Sequence, residues 1–265
     1  MGWCKMKKIF NGTRLLKWTT ILVYLFIFAP IAIVILMSFH PREIVSFPLP
    51  GFSLKWYASF LTNYELLNSL RISLTIGFSA ALLAAVIGTL AAFAIVRTEF
   101  KGKEVLNTMI FAPMLISPIV MGVALLSFFD FVHFPRGYLS VVVSHSLIAL
   151  PFVVVVVAAR LAGFDRSLEE AAMNLGANRF QAFKSVTLPL ISPGIIGGAL
   201  LAFTLSFDEY PATQFLATPS TTTIPIRIFS MIRTELSPEI NVLATLMIVV
   251  TVTAPLITYY FFREK

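Results

Sequence analysis

The sequence predicts an all-α membrane protein with six transmembrane helices and both termini in the cytoplasm. Three observations lead there. Of its 265 residues, 58% are hydrophobic and only 12% are charged, with a mean hydropathy of +0.88; soluble globular domains carry about 25% charged residues. Six apolar stretches reach the roughly 20 residues that a helix needs to cross the hydrocarbon. The basic residues between those stretches are unevenly divided, and that division orients the chain.

The stretches are, in order, Thr19–Phe39, Ser69–Val96, Val105–Phe131, Tyr138–Ala159, Ile191–Tyr210 and Asn241–Phe262. The first is expected to stay as a span, because it is too long for a signal peptide and no small-residue cleavage site follows it. The segment Phe52–Leu61, FSLKWYASFL, puts Phe52, Trp56, Tyr57 and Phe60 near helical spacing and predicts a helix lying in the interface. The second span carries Gly77, Ala81, Ala85, Gly88 and Ala92, small residues that let helices approach closely. With the N-terminus inside, the cytoplasmic segments hold fourteen Lys and Arg, among them Lys5, Lys7, Lys8, Arg97, Arg160, Arg179, Arg263 and Lys265. The outer segments hold five: Arg42, Lys55, Arg136, Arg227 and Arg233. No linker or low-complexity segment interrupts the chain, which reads as one domain over 1–265.

Several function classes lose support at this stage. The net charge of +7 is scattered between apolar runs, so topology accounts for it and nucleic acid is not an expected partner; the lipid bilayer is. No G-x-x-x-x-G-K-[ST] loop occurs, so the chain is not expected to bind or hydrolyse ATP. The three histidines, His40, His133 and His145, lie far apart, and no metal site, cofactor or nucleophile–base pair stands out. The single cysteine, Cys4, excludes an intramolecular disulfide framework and reads as a cytoplasmic thiol.

One polar segment, expected over about 160–190, interrupts the spans: EEAAMNLGANRFQAFKSVTLPL from Glu169 to Leu190. Ser167 and Glu170 have capping-box spacing, so a helix starts there. Leu168, Ala171, Ala172 and Leu175 make an apolar stripe, and Gly176 supplies a left-handed C-cap. Asn178 and Gln181 repeat the cap spacing and open a second short helix with Phe180 and Phe183 on its face. Pro189 and Pro193 mark re-entry into the membrane. The residues alone leave two readings open: a re-entrant loop packed on its own bundle, or a docking element for a soluble partner.

The spacing of Glu170-Ala171-Ala172, Gly176 and Val186-Thr187-Leu188-Pro189 resembles the cytoplasmic EAA loop of ABC-importer permeases. Longer stretches, SHSLIALPFVVVVVAARLAGFD, LSFDEY and IPIRIFSMIRTELSPEINVLAT, are similar to the second permease subunit of spermidine/putrescine importers. One departure is that Ser117-Pro118 runs directly into Ile119, where polyamine permeases often carry an acidic residue. The resemblance implies a type I importer (MetI-like) permease fold in the bacterial inner membrane. It also implies that Glu169, Glu170, Ala171, Ala172, Gly176, Phe180, Leu188 and Pro189 couple to an ATP-binding subunit. Implied partners are two such subunits, a second homologous permease and an extracytoplasmic solute-binding protein. The implied solute is a polyamine, with another small solute (an amino-acid-like compound, phosphonate, iron or thiamine) as the alternative; a secondary transporter fits less well.

Four polar residues in the spans are candidates for the translocation pathway. His145 either hydrogen-bonds a Ser or the backbone, or lines the pathway. Asp208 and Glu209 are either an exposed pair at a helix end or a cation-attracting lining, because charge in hydrocarbon is costly and faces a cavity or partner. Ser206 and Thr204 are expected to extend a polar stripe from Asp208.

Overall fold

The computed structural model describes residues 2–43, 49–234 and 237–262, with side chains from 13 to 256 within those ranges. The side chains of Cys4, Lys5, Lys7 and Lys8, and residues Arg263 and Lys265, lie outside the described residues. All regular structure in the described residues is helical. Five helices are long and apolar enough to cross a membrane, or six spans if a bent pair counts as one. The chain divides into two units, Met1–Thr62 with Met231–Leu246, and Asn63–Ser230 with Met247–Lys265.

In the first unit, α1 (Gly2–Met37) begins well before the expected span, and its described apolar side chains, from Leu15 on, are largely exposed. A surface of that kind needs hydrocarbon or another chain against it. The expected interfacial helix is α2 (Lys55–Thr62), but it is packed into protein. Trp56 and Phe60 are buried, Trp56 Nε1 donates to the His40 carbonyl at 2.7 Å, and the Tyr57 and Ser38 hydroxyls meet at 2.7 Å. The amphipathic pattern was right; the buried side faces the chain itself, and Phe52, Leu54 and Leu61 are left largely exposed.

The second unit is built on three helices: α3 (Tyr64–Arg97), α6 (Tyr138–Ala162) and α9 (Leu188–Asp208). Between them lie α4 (Lys103–Leu115) and α5 (Pro118–Phe131), then α7 (Ser167–Asn174) and α8 (Arg179–Ala182). The Asn63 side chain caps α3 by accepting from Glu65 and Leu66 N–H. Glu65 in the first turn and Arg97 in the last complement the helix dipole. Small residues bring the three helices together: a Cβ on Gly88 of α3 would lie 2.8 Å from Val153 Cγ1 of α6, and one on Gly198 of α9 would lie 3.2 Å from the same atom. Val153 therefore sits between two glycines, among buried Ala84, Ala149 and Ala202.

The single span expected over Val105–Phe131 is two helices instead. α4 and α5 are bent by 116° at Ile116-Ser117. Pro118 pushes the residue before it out of the helical region, and both Ile116 and Ser117 are extended, with ψ of 133° and 137°. The chain then closes through α10 (Thr213–Leu216), α11 (Ile224–Thr234) and α12 (Glu239–Phe262). The Ile224 N–H donates to buried Ser73 Oγ of α3 at 2.8 Å, and Arg227 pairs with Glu65.

Candidate functional site

The polar segment between α6 and α9 has the two short helices and the turn that its residues predict, with one change at its start. Ser167 does not cap α7. The Asp165 carboxylate does so, accepting the Ser167 N–H at 2.9 Å, and that bond holds the Asp165 carboxyl below the usual carboxylate range. An Asp two residues upstream of a helix start is an Asx-turn signal, and Asp165 carries it. At the other end, Gly176 has φ +94°. Its N–H reaches Met173 O at 3.0 Å, and Ala177 N–H reaches Ala172 O at 3.1 Å, the two bonds of a Schellman motif. Asn178 and Gln181 then exchange side-chain bonds with each other's N–H at 2.9 and 2.8 Å, a complete capping box.

The second short helix does not stop before the membrane. α8 passes through a π turn, Phe183–Thr187, straight into α9, with the Leu188 N–H bonding back to Phe183 O. Pro189 and Pro193 supply no N–H to that run. The carbonyl that Pro193 leaves unpaired, Pro189 O, accepts from Ser192 Oγ at 2.8 Å.

The expected coupling residues divide into two groups by direction. Glu169 turns inward: it takes both terminal nitrogens of Arg97, at 3.1 and 3.2 Å, and also the buried Thr187 hydroxyl. The Arg97 guanidinium lies 5.2 Å from the Phe164 ring. Glu170 and Ala171 are exposed, Ala172 is half-buried, and α7 buries none of its side chains. Leu175 is 91% exposed and Phe180 71%. Phe183 instead packs edge-on against Phe93, centroids 5.5 Å apart, so the two phenylalanines do not share a surface. Leu188 and Pro189 are exposed where α9 begins. A cavity of about 430 Å³ lies beneath the loop, lined by Phe93, Arg97, Glu169, Glu170, Met173 and Arg179. The sequence named Arg97 only as an orienting charge and Thr187 only as a position in the motif; no local signal marks their bond to Glu169, which is 72 and 18 residues away.

The four pathway candidates also separate. His145 Nδ1 meets Ser206 Oγ at 2.6 Å and Nε2 meets Thr213 Oγ1 at 2.7 Å, all three residues being buried. Thr213 already donates its hydroxyl proton to Glu209 O at 2.7 Å. It must therefore accept from the ring, which places the ring hydrogen on Nε2 and leaves Nδ1 to accept from Ser206. His145 thus hydrogen-bonds a Ser, as one of its two readings expected, and the Ser206 hydroxyl is spent on that bond. Two residues subtend about 200° of helix, so Ser206 points into the unit while Asp208 points out. The Thr204 hydroxyl is used by Leu200 O at 2.9 Å. Glu209 accepts the Ala212 N–H at 2.8 Å and closes the turn into α10. Asp208 is exposed and has no side-chain partner among the described residues.

Residues 84–264 match the family described as "Binding-protein-dependent transport system inner membrane component". The spermidine/putrescine transport system permease protein PotC of Escherichia coli K12 is 37% identical over 243 residues, 92% of each chain. The putrescine transport system permease protein PotI of the same strain is 38% identical over 235 residues, 86% of this chain and 83% of that one. Among solved structures, a bacterial alginate ABC transporter in complex with alginate pentasaccharide-bound periplasmic protein has a chain of the same fold. Its TM-score is 0.72 at 18% identity, over 99% of this chain and 97% of that one.

Proposed function

Because the chain belongs to the family of binding-protein-dependent transport system inner membrane components, we propose that it carries polyamines through an ATP-driven importer. It is a multi-pass inner-membrane permease subunit, homologous to PotC and PotI over most of its length. The solute reading rests on that near-full-length identity to two polyamine permeases; Asp208, exposed and unpaired at the end of α9, adds a charge of the sign that attracts a polyamine. The bent pair α4–α5 counts as one of six spans, in a type I, MetI-like arrangement with both termini in the cytoplasm.

The loop from α7 to the start of α9 is the contact for an ATP-binding subunit. The supporting observation is that Leu175, just after α7, and Phe180, on α8, are large apolar side chains left mostly exposed. Two ATP-binding subunits hydrolyse ATP, a second homologous permease completes the pathway, and an extracytoplasmic binding protein delivers the solute. Closure of the ATP-binding subunits displaces the loop, the pathway opens outward, and hydrolysis resets it.

The test is uptake of radiolabelled putrescine and spermidine by the complete complex in proteoliposomes supplied with the binding protein. ATP-dependent uptake is expected, and D208N is expected to lower it more than E209Q. That difference shrinks as salt rises, because screening acts over about 8 Å at physiological ionic strength. ATP-dependent uptake of another solute with no uptake of either polyamine refutes the solute reading and leaves the permease role standing.

A further inference from the structure

We propose that the cluster Arg97–Glu169–Thr187 is the mechanical joint that carries displacement of α7 into the membrane helices, with Arg97 as its positioning residue. The inference rests on the reading of α7 as the docking element.

No α7 side chain is fully buried, so apolar packing holds it only weakly to its neighbours. Among the described residues its ion pair to the bundle is made by one carboxylate. Glu169 accepts from two nitrogens of Arg97, at the last residue of α3, and from the hydroxyl of Thr187, at the last residue of the π turn. A two-pronged guanidinium–carboxylate contact fixes orientation as well as distance, so it transmits rotation as well as pull. The ring of Phe164, on the connection leading to α7, lies against the guanidinium and steadies it.

The two elements joined by Glu169 differ in stiffness. α3 is an unbroken helix of 34 residues, about 51 Å long at 1.5 Å per residue. Its far end is held to α11 by the Glu65–Arg227 ion pair, so a shift at Arg97 has a mechanical path to the opposite end of the unit. The π turn is the compliant partner, since it holds one residue more per hydrogen-bonded loop than the α-helix on either side. Glu169 is therefore fastened at once to a rod and to a yielding turn. The pair is mostly withdrawn from water, its side chains 14% and 25% exposed, so removing one partner leaves a poorly solvated charge and costs some stability. The exchanged pair keeps both charges and so separates a coupling defect from that loss.

The experiment uses the complete complex in proteoliposomes and compares R97Q, E169Q, T187V and the exchanged pair R97E/E169R, reading solute uptake and ATP hydrolysis together. R97Q and E169Q are expected to lower uptake about tenfold, the scale of coupling effects from such residues, while ATP hydrolysis and subunit copurification persist. T187V is expected to fall between these and wild type, and the exchanged pair is expected to recover uptake. Normal uptake in both single variants overturns the proposal. So does a parallel loss of uptake, hydrolysis and assembly that the exchange does not reverse. L175D separates the two readings: if it leaves the ATP-binding subunits attached and uptake normal, the docking reading is the one that fails. If L175D releases them while R97Q transports normally, only the joint fails.

Discussion

Gly88→Ala should destabilise the three-helix core, and Val153→Ala should rescue it only in part. Two effects oppose each other at this position. Alanine is favoured over glycine inside a helix by about 1 kcal/mol. Against that, the new methyl would lie 2.8 Å from Val153 Cγ1 and 2.9 Å from Val153 Cβ. Val153 is β-branched, and a valine in a helix has essentially one side-chain rotamer, so it cannot turn away. Gly198 of α9 also comes close: a Cβ placed there would lie 3.2 Å from the same Cγ1 and 3.3 Å from Val153 Cα. Relief therefore requires α3 and α6 to separate. Overpacking of this kind costs about 1–3 kcal/mol, so the clash outweighs the propensity gain and the net loss is roughly 1–2 kcal/mol. Val153→Ala alone opens a void and also destabilises. In the double variant the Cγ1 contact is gone, but the Cβ at 153 still lies 2.9 Å from the new methyl, so the two losses should cancel only in part, by about 1 kcal/mol, as expected of residues in contact. The assay is the thermal midpoint of the detergent-solubilised protein for wild type, both single variants and the double. A G88A midpoint at or above wild type, or a double variant no better than the sum of its singles, would refute the packing argument.

Three further outcomes follow from other parts of the chain. Thr213→Val should cost about 1–3 kcal/mol, because it leaves the buried His145 ring N–H unpaired, and Ser206→Ala should cost less since it removes a donor from an acceptor; the same thermal midpoints check the order. Asp165 has a folded pKa below its unfolded one, so its contribution to the start of α7 is present above the usual carboxylate range and lost as pH falls through the folded value. A fluorophore on L175C should report loosening of α7 only in acid, and Asp165→Asn, which cannot ionise, should lack that transition. Cysteines placed at Asn178 and Ser220 in a Cys4-free background should label from opposite sides of the membrane; labelling of both by an impermeant reagent in intact cells would overturn the orientation.

Sequence alone determined whatever rests on neighbours along the chain. The long apolar runs, the cap at Asn178 and the left-handed turn at Gly176 all depend on residues within about one helical turn, where spacing dictates geometry. The EAA-type spacing lay in one continuous segment, so the loop proposed to dock was legible as a motif too. Tertiary structure decided which side of each element is spent internally. Trp56 and Phe60 fit an interfacial face equally well, and only the fold put protein against them. Ser206 was one of several hydroxyls near Asp208 until His145, from another helix, claimed it. Glu169 and Glu170 are adjacent and chemically alike. The first is turned inward only because the last residue of α3, 72 positions earlier in the chain, brings a guanidinium to meet it. Periodicity specifies a face; what covers that face is set by helices that meet far apart in sequence, and no local pattern encodes that meeting.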